Sequence, residues 1–313
     1  MKIITLTLSP AFDLHCYAKE LLTGRENLVS IVRREAGGKG VNISRALKEN
    51  GTDSLCAVLL GSENGKEFEK SLLSDGLNFH ALTIRGRIRE NITVHTKTGE
   101  ETRISFEGFS ADPSALDDIT ERLTEYGLSD AVVTFTGRMP TGLSTGDAKD
   151  FLKGLQRKGA RIVIDSRSFS LSDIADCSPY LIKPNEEEIS AYMGKKITSL
   201  AEAAEAGRAI CQMGVKNVMI TLGGVGAVLV TDSKAWTATP PVIDAVSTIG
   251  AGDSAIAGFL SAIANGLDES EALRRAVAYG SAACLTDGTL PPRKKDVERI
   301  ASQVRINIIQ KLT

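Results

Sequence analysis

Short apolar and β-branched runs alternate with segments of helical periodicity along most of the chain. Such runs are typical of buried strands in parallel sheets, and apolar positions three and four residues apart are typical of helices that pack on a sheet. The predicted strands span residues 3–8, 55–60, 131–135, 161–165 and 218–222. The alternation therefore predicts an α/β fold with helices on the faces of a mostly parallel sheet.

Helix boundaries agree with the residues that usually begin and end helices. Gly51 ends the helix predicted over residues 41–50, and Gly76 ends the helix over 65–75. Asp112 is the predicted cap of a helix that holds Pro113 in its first turn, where proline is common. The last third of the chain is predicted to be mostly helical, over residues 254–265, 269–286 and 296–312.

Two stretches do not follow the alternation. Residues 11–35 and 85–106 lack an amphipathic helix, and part of the second reads as a hairpin around a turn at 98–100. Excursions from the carboxyl edge of an α/β core can pair into a second sheet over the active face; two unrelated surface loops are the alternative. The predicted division is a core of residues 1–10, 36–84 and 107–313 and a β lid of residues 11–35 and 85–106.

Composition and charge exclude several classes of function. The 37 Lys and Arg residues nearly balance the 39 Asp and Glu residues, giving a net charge of -2, so we expect no nucleic-acid partner. The longest apolar stretch, residues 254–264, falls short of the ~20 residues that cross a membrane. The amino end has no signal-peptide pattern, and the five cysteines show no paired spacing. A cytoplasmic location without a zinc site or redox dithiol is therefore expected.

A glycine turn followed by a carboxylate is the first candidate for chemistry. Gly250, Ala251 and Gly252 open a small-residue helix with Asp253 in its first turn. Backbone N–H groups at a helix start attract an anion. A carboxylate there suits a base that takes the proton from a hydroxyl attacking that anion; simple helix capping by Asp253 is the alternative.

A second glycine turn, at residues 37–40, carries Lys39 and is followed by Asn42. It is not a P-loop, because its first glycine is missing and Gly40 follows the lysine. Bare glycine backbone, a positive charge and an amide still suit a polar ligand. An ordinary glycine turn is the alternative.

Two further patterns lie in the second half of the chain. Asn185 and Glu188 have the spacing of a helix capping box, which by itself accounts for them. A glycine turn with Thr221, Gly223 and Gly226 follows a predicted strand, but no helix start comes after it. It therefore does not match the dinucleotide fingerprint, and both a bound nucleotide and no ligand remain open for this turn.

Together and in this order, the four patterns resemble the ribokinase or PfkB family of sugar kinases, and within it the phosphofructokinase branch that includes 1-phosphofructokinase and tagatose-6-phosphate kinase. Residues 5–13 look like the opening strand of that branch, residues 37–42 like its amino signature and residues 248–254 like its carboxyl signature. The resemblance covers nearly the whole chain. It implies a ribokinase-like three-layer α/β/α core with a small β-sheet lid, ATP and Mg²⁺ as cofactors, and a homodimer through the lid.

The resemblance also implies roles for single residues. Asp253 matches the general base, and the amides of Gly250, Ala251 and Gly252 match those that stabilise the transferred phosphoryl group. The positions that match sugar-hydroxyl contacts are Asp13, Gly38 and Asn42, with the charge of Lys39 beside them.

At the nucleotide end, Asn185 and Glu188 match the motif that organises Mg-bound phosphates, largely through water, and Lys183 faces the phosphates. Thr221, Gly223 and Gly226 match the nucleotide-binding turn. Ser281 lies on a late helix like the one that borders adenine in the family.

A phosphorylated sugar needs fixed cations away from the attacked hydroxyl, and guanidinium groups bind phosphate through paired hydrogen bonds. The candidates are Arg25, Arg89, Arg103 and Arg138. The first three fall where phosphofructokinases of the family carry basic contacts, whereas Arg138 replaces a small polar residue. Arg85 and Arg87 are expected to be solvated.

The predicted reaction is the ATP-dependent phosphorylation of a ketohexose monophosphate. Departures from the branch at Ser9 and in residues 105–110, 136–140 and 165–168 leave fructose 1-phosphate, fructose 6-phosphate and tagatose 6-phosphate open as substrates. The alternatives are a kinase of an unphosphorylated sugar or nucleoside, and a sensor that binds these ligands without catalysis.

Overall fold

A computed structural model describes residues 1–309, in which ten strands form one large sheet and four form a smaller sheet. In chain order the strands are β1 (Lys2–Thr7), β2 (Ala11–Ala18), β3 (Ser30–Gly37), β4 (Leu55–Gly61), β5 (Phe79–Ile84), β6 (Arg89–Thr96), β7 (Glu101–Ser105), β8 (Ala131–Thr136), β9 (Arg161–Asp165), β10 (Leu181–Ile182), β11 (Asn217–Thr221), β12 (Ala227–Thr231), β13 (Ala235–Thr239) and β14 (Arg305–Ile309). The helices are α1 (Lys39–Glu49), α2 (Gly65–Ser74), α3 (Ser114–Tyr126), α4 (Thr145–Arg157), α5 (Leu171–Cys177), α6 (Glu186–Met193), α7 (Leu200–Gln212), α8 (Ala251–Ala264), α9 (Glu269–Ala283) and α10 (Lys294–Ala301).

The large sheet is parallel over most of its width. Its order is β14-β13-β12-β11-β10-β9-β8-β1-β4-β5, with parallel pairing from β11 to β5 and antiparallel pairing from β11 to β14. All five predicted strands lie in the parallel part, as expected for short, wholly buried runs. The chain leaves β1 for β4 on one side and later returns to β8 on the other, so loops diverge at the carboxyl end of β1, where α/β sheets bind ligands.

Alternate residues of the buried strands feed two hydrophobic cores. In β1, Ile3 packs in one core with α1, α8, α9 and α10, while Ile4 and Leu6 pack in the other with α2 to α7. Successive strand residues point to opposite faces, so the sheet lies between two helical layers. The predicted α/β/α arrangement is confirmed.

The two excursions from the alternation pair with each other in the small sheet. Its order is β3-β2-β6-β7, and β2 runs parallel to β6 from Ala11↔Arg89 to Ala18↔Thr96. Strands separated by about 70 residues in sequence therefore form one sheet, as predicted. β3 continues to Gly37, past the predicted boundary at residue 35; the division into core and lid stays a prediction.

Several boundaries differ from the sequence-based expectation. The helix predicted over 296–312 is wrong: α10 ends at Ala301, and β14 pairs with β13, while residues 310–312 lie outside the described part. The strand is favoured by the alternation around Ile306 and Ile308. Asp112 is not a side-chain cap, since α3 begins after Pro113.

Helix α8 starts at Ala251, three residues before the prediction, because Gly250 takes the left-handed cap conformation. Asp253 thus lies inside the first turn. Within residues 1–309, no helix combines the length and apolar character that a membrane crossing needs.

Candidate active site

A cleft of about 1400 Å³ opens at the carboxyl ends of the parallel strands. Thr7, Thr136, Asp165 and Thr221, the last residues of β1, β8, β9 and β11, line its floor. The small sheet contributes residues of β2, β6 and β7 to the wall. The topology therefore places the cleft where α/β sheets bind ligands.

All residues predicted for the site except Arg25 line this one cleft. They are Asp13, Gly38, Lys39, Asn42, Arg89, Arg103, Arg138, Lys183, Asn185, Glu188, Thr221, Gly223, Gly226, Gly250, Ala251, Gly252, Asp253 and Ser281.

Arg25 is the exception: it is exposed between β2 and β3 and is not among the residues that line the cleft of its own chain, so its contact with the acceptor stays a prediction. Asn27 folds this segment back on itself, because its Oδ1 accepts from the Leu22 amide at 2.7 Å and its Nδ2 donates to the Leu22 carbonyl at 2.8 Å. Such a side-chain-closed turn holds Arg25 at the tip of the segment.

Asp253 is a buried carboxylate in the first turn of α8. Only 7% of the residue is exposed, and Asn42 Nδ2 donates to its Oδ2 at 2.9 Å. Burial raises the pKa of Asp253 to about 6, against the lowering influence of Lys39 and of the Asn42 hydrogen bond. A carboxylate with this pKa is mostly ionised at neutral pH and is a better proton acceptor than an exposed aspartate.

Asp165, at the end of β9, joins the two lysines of the site. Its Oδ2 accepts from Lys39 Nζ at 2.9 Å, and its Oδ1 lies 3.7 Å from Lys183 Nζ. Burial alone raises the pKa of Asp165, but Lys183 and Lys39 outweigh it and hold that pKa below its ordinary value. Sequence reasoning missed this residue; an acidic residue closing a buried strand was the available signal.

The start of α8 is suited to bind an anion. Gly250 is its left-handed cap, and the first turn of a helix carries amides without intrahelical partners. A Cβ built at Gly252 would lie 3.1 Å from Lys183 Nζ, so the ammonium group lies beside the turn. Helix amides and a fixed cation thus meet at one place, next to Asp253.

The small-sheet wall carries a group of arginines around one carboxylate. Asp13 Oδ1 accepts from Asn91 Nδ2 at 2.7 Å and lies 3.6 Å from Arg103 Nη2. Burial and then the neighbouring charge of Arg138 lower the pKa of Arg89, which indicates that the guanidinium groups are close enough to repel. An anion bound beside these guanidinium groups would relieve their repulsion. Asn91 was not predicted.

Three polar atoms in residues that line the cleft are buried without a hydrogen-bond partner in the described chain. They are Asn42 Oδ1, Arg89 Nε and Asn91 Oδ1. A buried polar atom left unpaired is costly. Two acceptors and one guanidinium donor therefore fit a ligand that carries hydroxyl groups and an anionic group.

The end of the cleft next to Thr221 is lined by fewer polar side chains. Gly223 and Gly226 follow Thr221, and a Cβ at Gly226, with φ +124°, would overlap the carbonyl oxygen of Ala238. Ile243, Val277 and Ser281 line the nearby wall. A flat apolar ring system with few polar atoms suits this surface.

Asn185 and Glu188 form the capping box at the start of α6 that their spacing predicts. Its Oδ1 accepts from the Glu188 amide at 2.8 Å, and its own amide donates to Glu188 Oε2 at 3.1 Å. Arg167, a further residue missed from the sequence, donates to Glu188 Oε1 at 3.0 Å. Both carboxylate oxygens of Glu188 are thus engaged, and residues 1–309 hold no cluster of three or more His, Cys, Asp or Glu arranged for a metal ion.

Comparisons with known proteins agree with this geometry. The sequence profile of the pfkB family carbohydrate kinases matches residues 6–296. The chain is 32% identical to a 1-phosphofructokinase of Escherichia coli strain K12 over 283 residues, which cover 90% of each protein.

Solved structures of Escherichia coli phosphofructokinase-2 have the same fold. One, in complex with potassium, has a TM-score of 0.90 at 26% identity and covers 96% of this chain and 98% of its own. Another, described as the tetrameric inhibited form, has a TM-score of 0.87 at 25% identity over 96% and 98% of the two chains.

The raised pKa of Asp253 predicts that its charge destabilises the fold. The cost of ionising it in the folded protein is absent below about pH 4, the ordinary aspartate range, and complete above about pH 6. Asp253→Asn should therefore raise the free energy of unfolding at pH 7.5 by about 1 to 3 kcal/mol. Urea denaturation between pH 5 and 8 should show this gain shrink as the pH falls.

Asp147→Asn is the matched control. Asp147 is exposed, and the hydrogen bond from the Ser144 hydroxyl lowers its pKa, so its neutralisation should not stabilise the protein at any pH in this range. A gain for Asp253→Asn that is absent at pH 7.5, or that does not change with pH, contradicts the assignment.

Proposed function

The chain belongs to the pfkB family of carbohydrate kinases, and from this premise we propose that it transfers the γ-phosphoryl group of ATP to a hydroxyl group of a ketohexose monophosphate. Fructose 1-phosphate, fructose 6-phosphate and tagatose 6-phosphate are the acceptors considered. The observation that carries the proposal is the buried Asp253 carboxylate beside the α8 turn, in the same cleft as unpaired arginines.

The arginine group supports a phosphorylated acceptor. Within residues 1–309, Arg103 pairs with Asp13, while Arg89 and Arg138 have no carboxylate partner. Two guanidinium groups that form no ion pair suit the two negative charges of a phosphate monoester. The unpaired oxygens Asn42 Oδ1 and Asn91 Oδ1 would accept from sugar hydroxyl groups.

Asp253 would act as the general base. Its pKa of about 6 leaves it ionised at neutral pH, and Asn42 fixes one of its oxygens through the 2.9 Å hydrogen bond. The carboxylate would take the proton of the acceptor hydroxyl as that oxygen attacks phosphorus. The amides of Gly250 to Gly252 and the Lys183 ammonium group would hold the charge of the transferred group.

The nucleotide would lie with its base along the Gly223 to Gly226 turn and the Val277 wall and its phosphates toward Lys183. Mg²⁺, when bound, neutralises charge on those phosphates. The first turn of α6 offers the carboxylates of Glu186 to Glu188 to the cleft, which are the oxygen donors that Mg²⁺ prefers. Because Glu188 is already engaged on both oxygens, it suits contact through water better than direct ligation.

An acceptor screen tests the proposed reaction. With ATP and Mg²⁺, ADP release should be at least about 100-fold more efficient, as kcat/KM, with one of the three ketohexose monophosphates than with free fructose, since two charged hydrogen bonds are at stake. A coupled ADP assay measures this. Equal efficiency with free fructose or a nucleoside supports the kinase of an unphosphorylated acceptor, and binding without ADP release supports the sensor.

Arginine variants locate the phosphate contact in the same assay. Arg89→Ala and Arg138→Ala should raise KM for the phosphorylated acceptor at least about tenfold. Arg85→Ala is the matched control, because Arg85 is exposed and outside the cleft. An unchanged KM in both cleft variants would remove these arginines from the acceptor site.

The base assignment predicts the pH dependence of turnover. Below about pH 6, protonation of Asp253 should reduce kcat/KM tenfold per pH unit. Asp253→Asn should lower kcat by at least about 100-fold and abolish this acidic limb, while ATP still binds. Near-normal turnover of the variant would exclude Asp253 as the base.

We also propose that two copies of the chain associate through the small sheet. Large apolar side chains that are at least a third exposed are Tyr17, Ile31, Val32 and Ile104 of this sheet and Phe106 directly after β7. Ile31 and Ile104 lie on the same face of the sheet, and exposed apolar side chains grouped on one face are common at interfaces. The oligomeric form described for the similar Escherichia coli protein supports association.

A charge on the small sheet should separate the copies. Val32 is 71% exposed, so Val32→Asp should leave the fold intact and shift the mass by light scattering from dimer to monomer. Leu73→Asp, on α2 at 64% exposure, is the control and should stay dimeric. A Val32→Asp dimer, or a monomeric wild type, overturns this arrangement.

A further inference from the structure

Strand β3 leads into the turn at residues 37–40 and contacts the turn at residues 287–290. It ends at Gly37, directly before Gly38 and Lys39, so its position sets the start of α1. Arg33 and Glu35 are two residues apart and project from the same face. Arg34, between them, instead contacts Glu67 of α2 at 3.0 Å. The face of β3 that carries Arg33 and Glu35 therefore contacts the loop that follows α9.

Arg33 is held between two carboxylates. Its Nε lies 3.2 Å from Glu35 Oε1, and its Nη1 donates to Asp287 Oδ2 at 3.2 Å. The Arg33 side chain is only 24% exposed. Gly288, at φ +59°, permits this approach, because a Cβ there would overlap the guanidinium group. A largely buried cation needs its partners, so this contact fixes β3 against the turn.

Glu35 makes a second contact with the same turn, since Thr289 Oγ1 donates to Glu35 Oε2 at 3.4 Å. The turn is closed by the Leu290 amide, which donates to the Asp287 carbonyl at 3.3 Å. Thr286 Oγ1 donates to the Leu290 carbonyl at 2.8 Å and anchors the turn to the end of α9. Residues 287–290 thus form a hydrogen-bonded turn, which β3 contacts through Arg33 and through Glu35.

This unit packs against the anion-binding turn. Thr289 Cα is the atom nearest to a Cβ built at Gly250, at 3.7 Å. The segment before Gly250 is tied to the same helix end, because the Val246 amide donates to the Cys284 carbonyl at 2.7 Å. A shift of the 287–290 turn would therefore move Thr289, the residue that packs against Gly250.

We propose that Arg33 and Glu35 are positioning residues that act through Asp287 and Thr289 on the Gly250 to Gly252 turn. Fast phosphoryl transfer then requires β3 to be docked on the 287–290 turn. The inference rests on the proposed function, in which the Gly250 turn holds the transferred phosphoryl group. Docking also places Lys39, so the acceptor and anion sites are organised together, which limits transfer to water.

Paired variants test the positioning role in the acceptor assay. Thr289→Val removes the hydroxyl while keeping the shape, and Arg33→Ala removes the link to Asp287. Both should lower kcat about five- to tenfold and leave KM for the acceptor within about twofold, because the contact acts on the transition state. The matched controls, Thr289→Ser and Arg34→Ala, should keep kcat within about twofold of the wild type.

Hydrogen exchange gives a readout that does not depend on activity. The amides of Val246, Ala251 and Ser254 are hydrogen-bonded around the Gly250 turn. In the full-length protein they should exchange several-fold faster in Arg33→Ala and Thr289→Val than in the wild type, and at the wild-type rate in Arg34→Ala and Thr289→Ser.

The outcomes separate the two proposals. Equal loss of turnover in Arg33→Ala and Arg34→Ala, or in Thr289→Val and Thr289→Ser, overturns the positioning role, as does unchanged exchange around Gly250. A wild type that phosphorylates none of the acceptors overturns the proposed function, while the exchange experiment still decides whether β3 orders the turn.

Discussion

The ion-pair cluster of Asp165 with Lys39 and Lys183 is the interaction on which the cleft depends. Lys183 and Asp165 are each 5% exposed, and burial of a charge costs several kcal/mol unless a partner compensates it. The cluster joins the end of β9, the end of β10 and the start of α1. Since Asp253 also lies near Lys39 and Lys183, two carboxylates and two ammonium groups balance one another. Loss of Asp165 or of Lys183 would leave an uncompensated buried charge.

This balance explains how a chain with a net charge of -2 forms a cleft in which some cationic side chains have no carboxylate partner. The carboxylates of Asp165 and Asp253 are matched within the cluster, whereas Arg89 and Arg138 remain without a partner among the described residues. Helix α8 adds its amino-terminal dipole at the same cleft. Local arrangement, and not overall composition, therefore sets the charge that a ligand meets.

The sequence was sufficient to predict features that depend on short-range pattern. Residues 161–165 were predicted as a strand and form β9, and the carboxylate of Asp253 does lie in the first turn of a helix opened by Gly250. Features that depend on distant partners were missed. Nothing near Asp165 in sequence shows that Lys39 and Lys183 converge on it.

The pKa of Asp253 is set by opposing effects, and its value suits a base. Burial raises the pKa of the carboxyl group and favours its protonated form, whereas full exposure would make the carboxylate a weaker proton acceptor. Lys39 and Asn42 counter the burial, and the result of about 6 leaves about nine tenths of the groups ionised at pH 7. The lysine cluster thus also keeps Asp253 mostly ionised. The charge balance of the cleft and the ionisation of Asp253 are therefore two consequences of the same four charges.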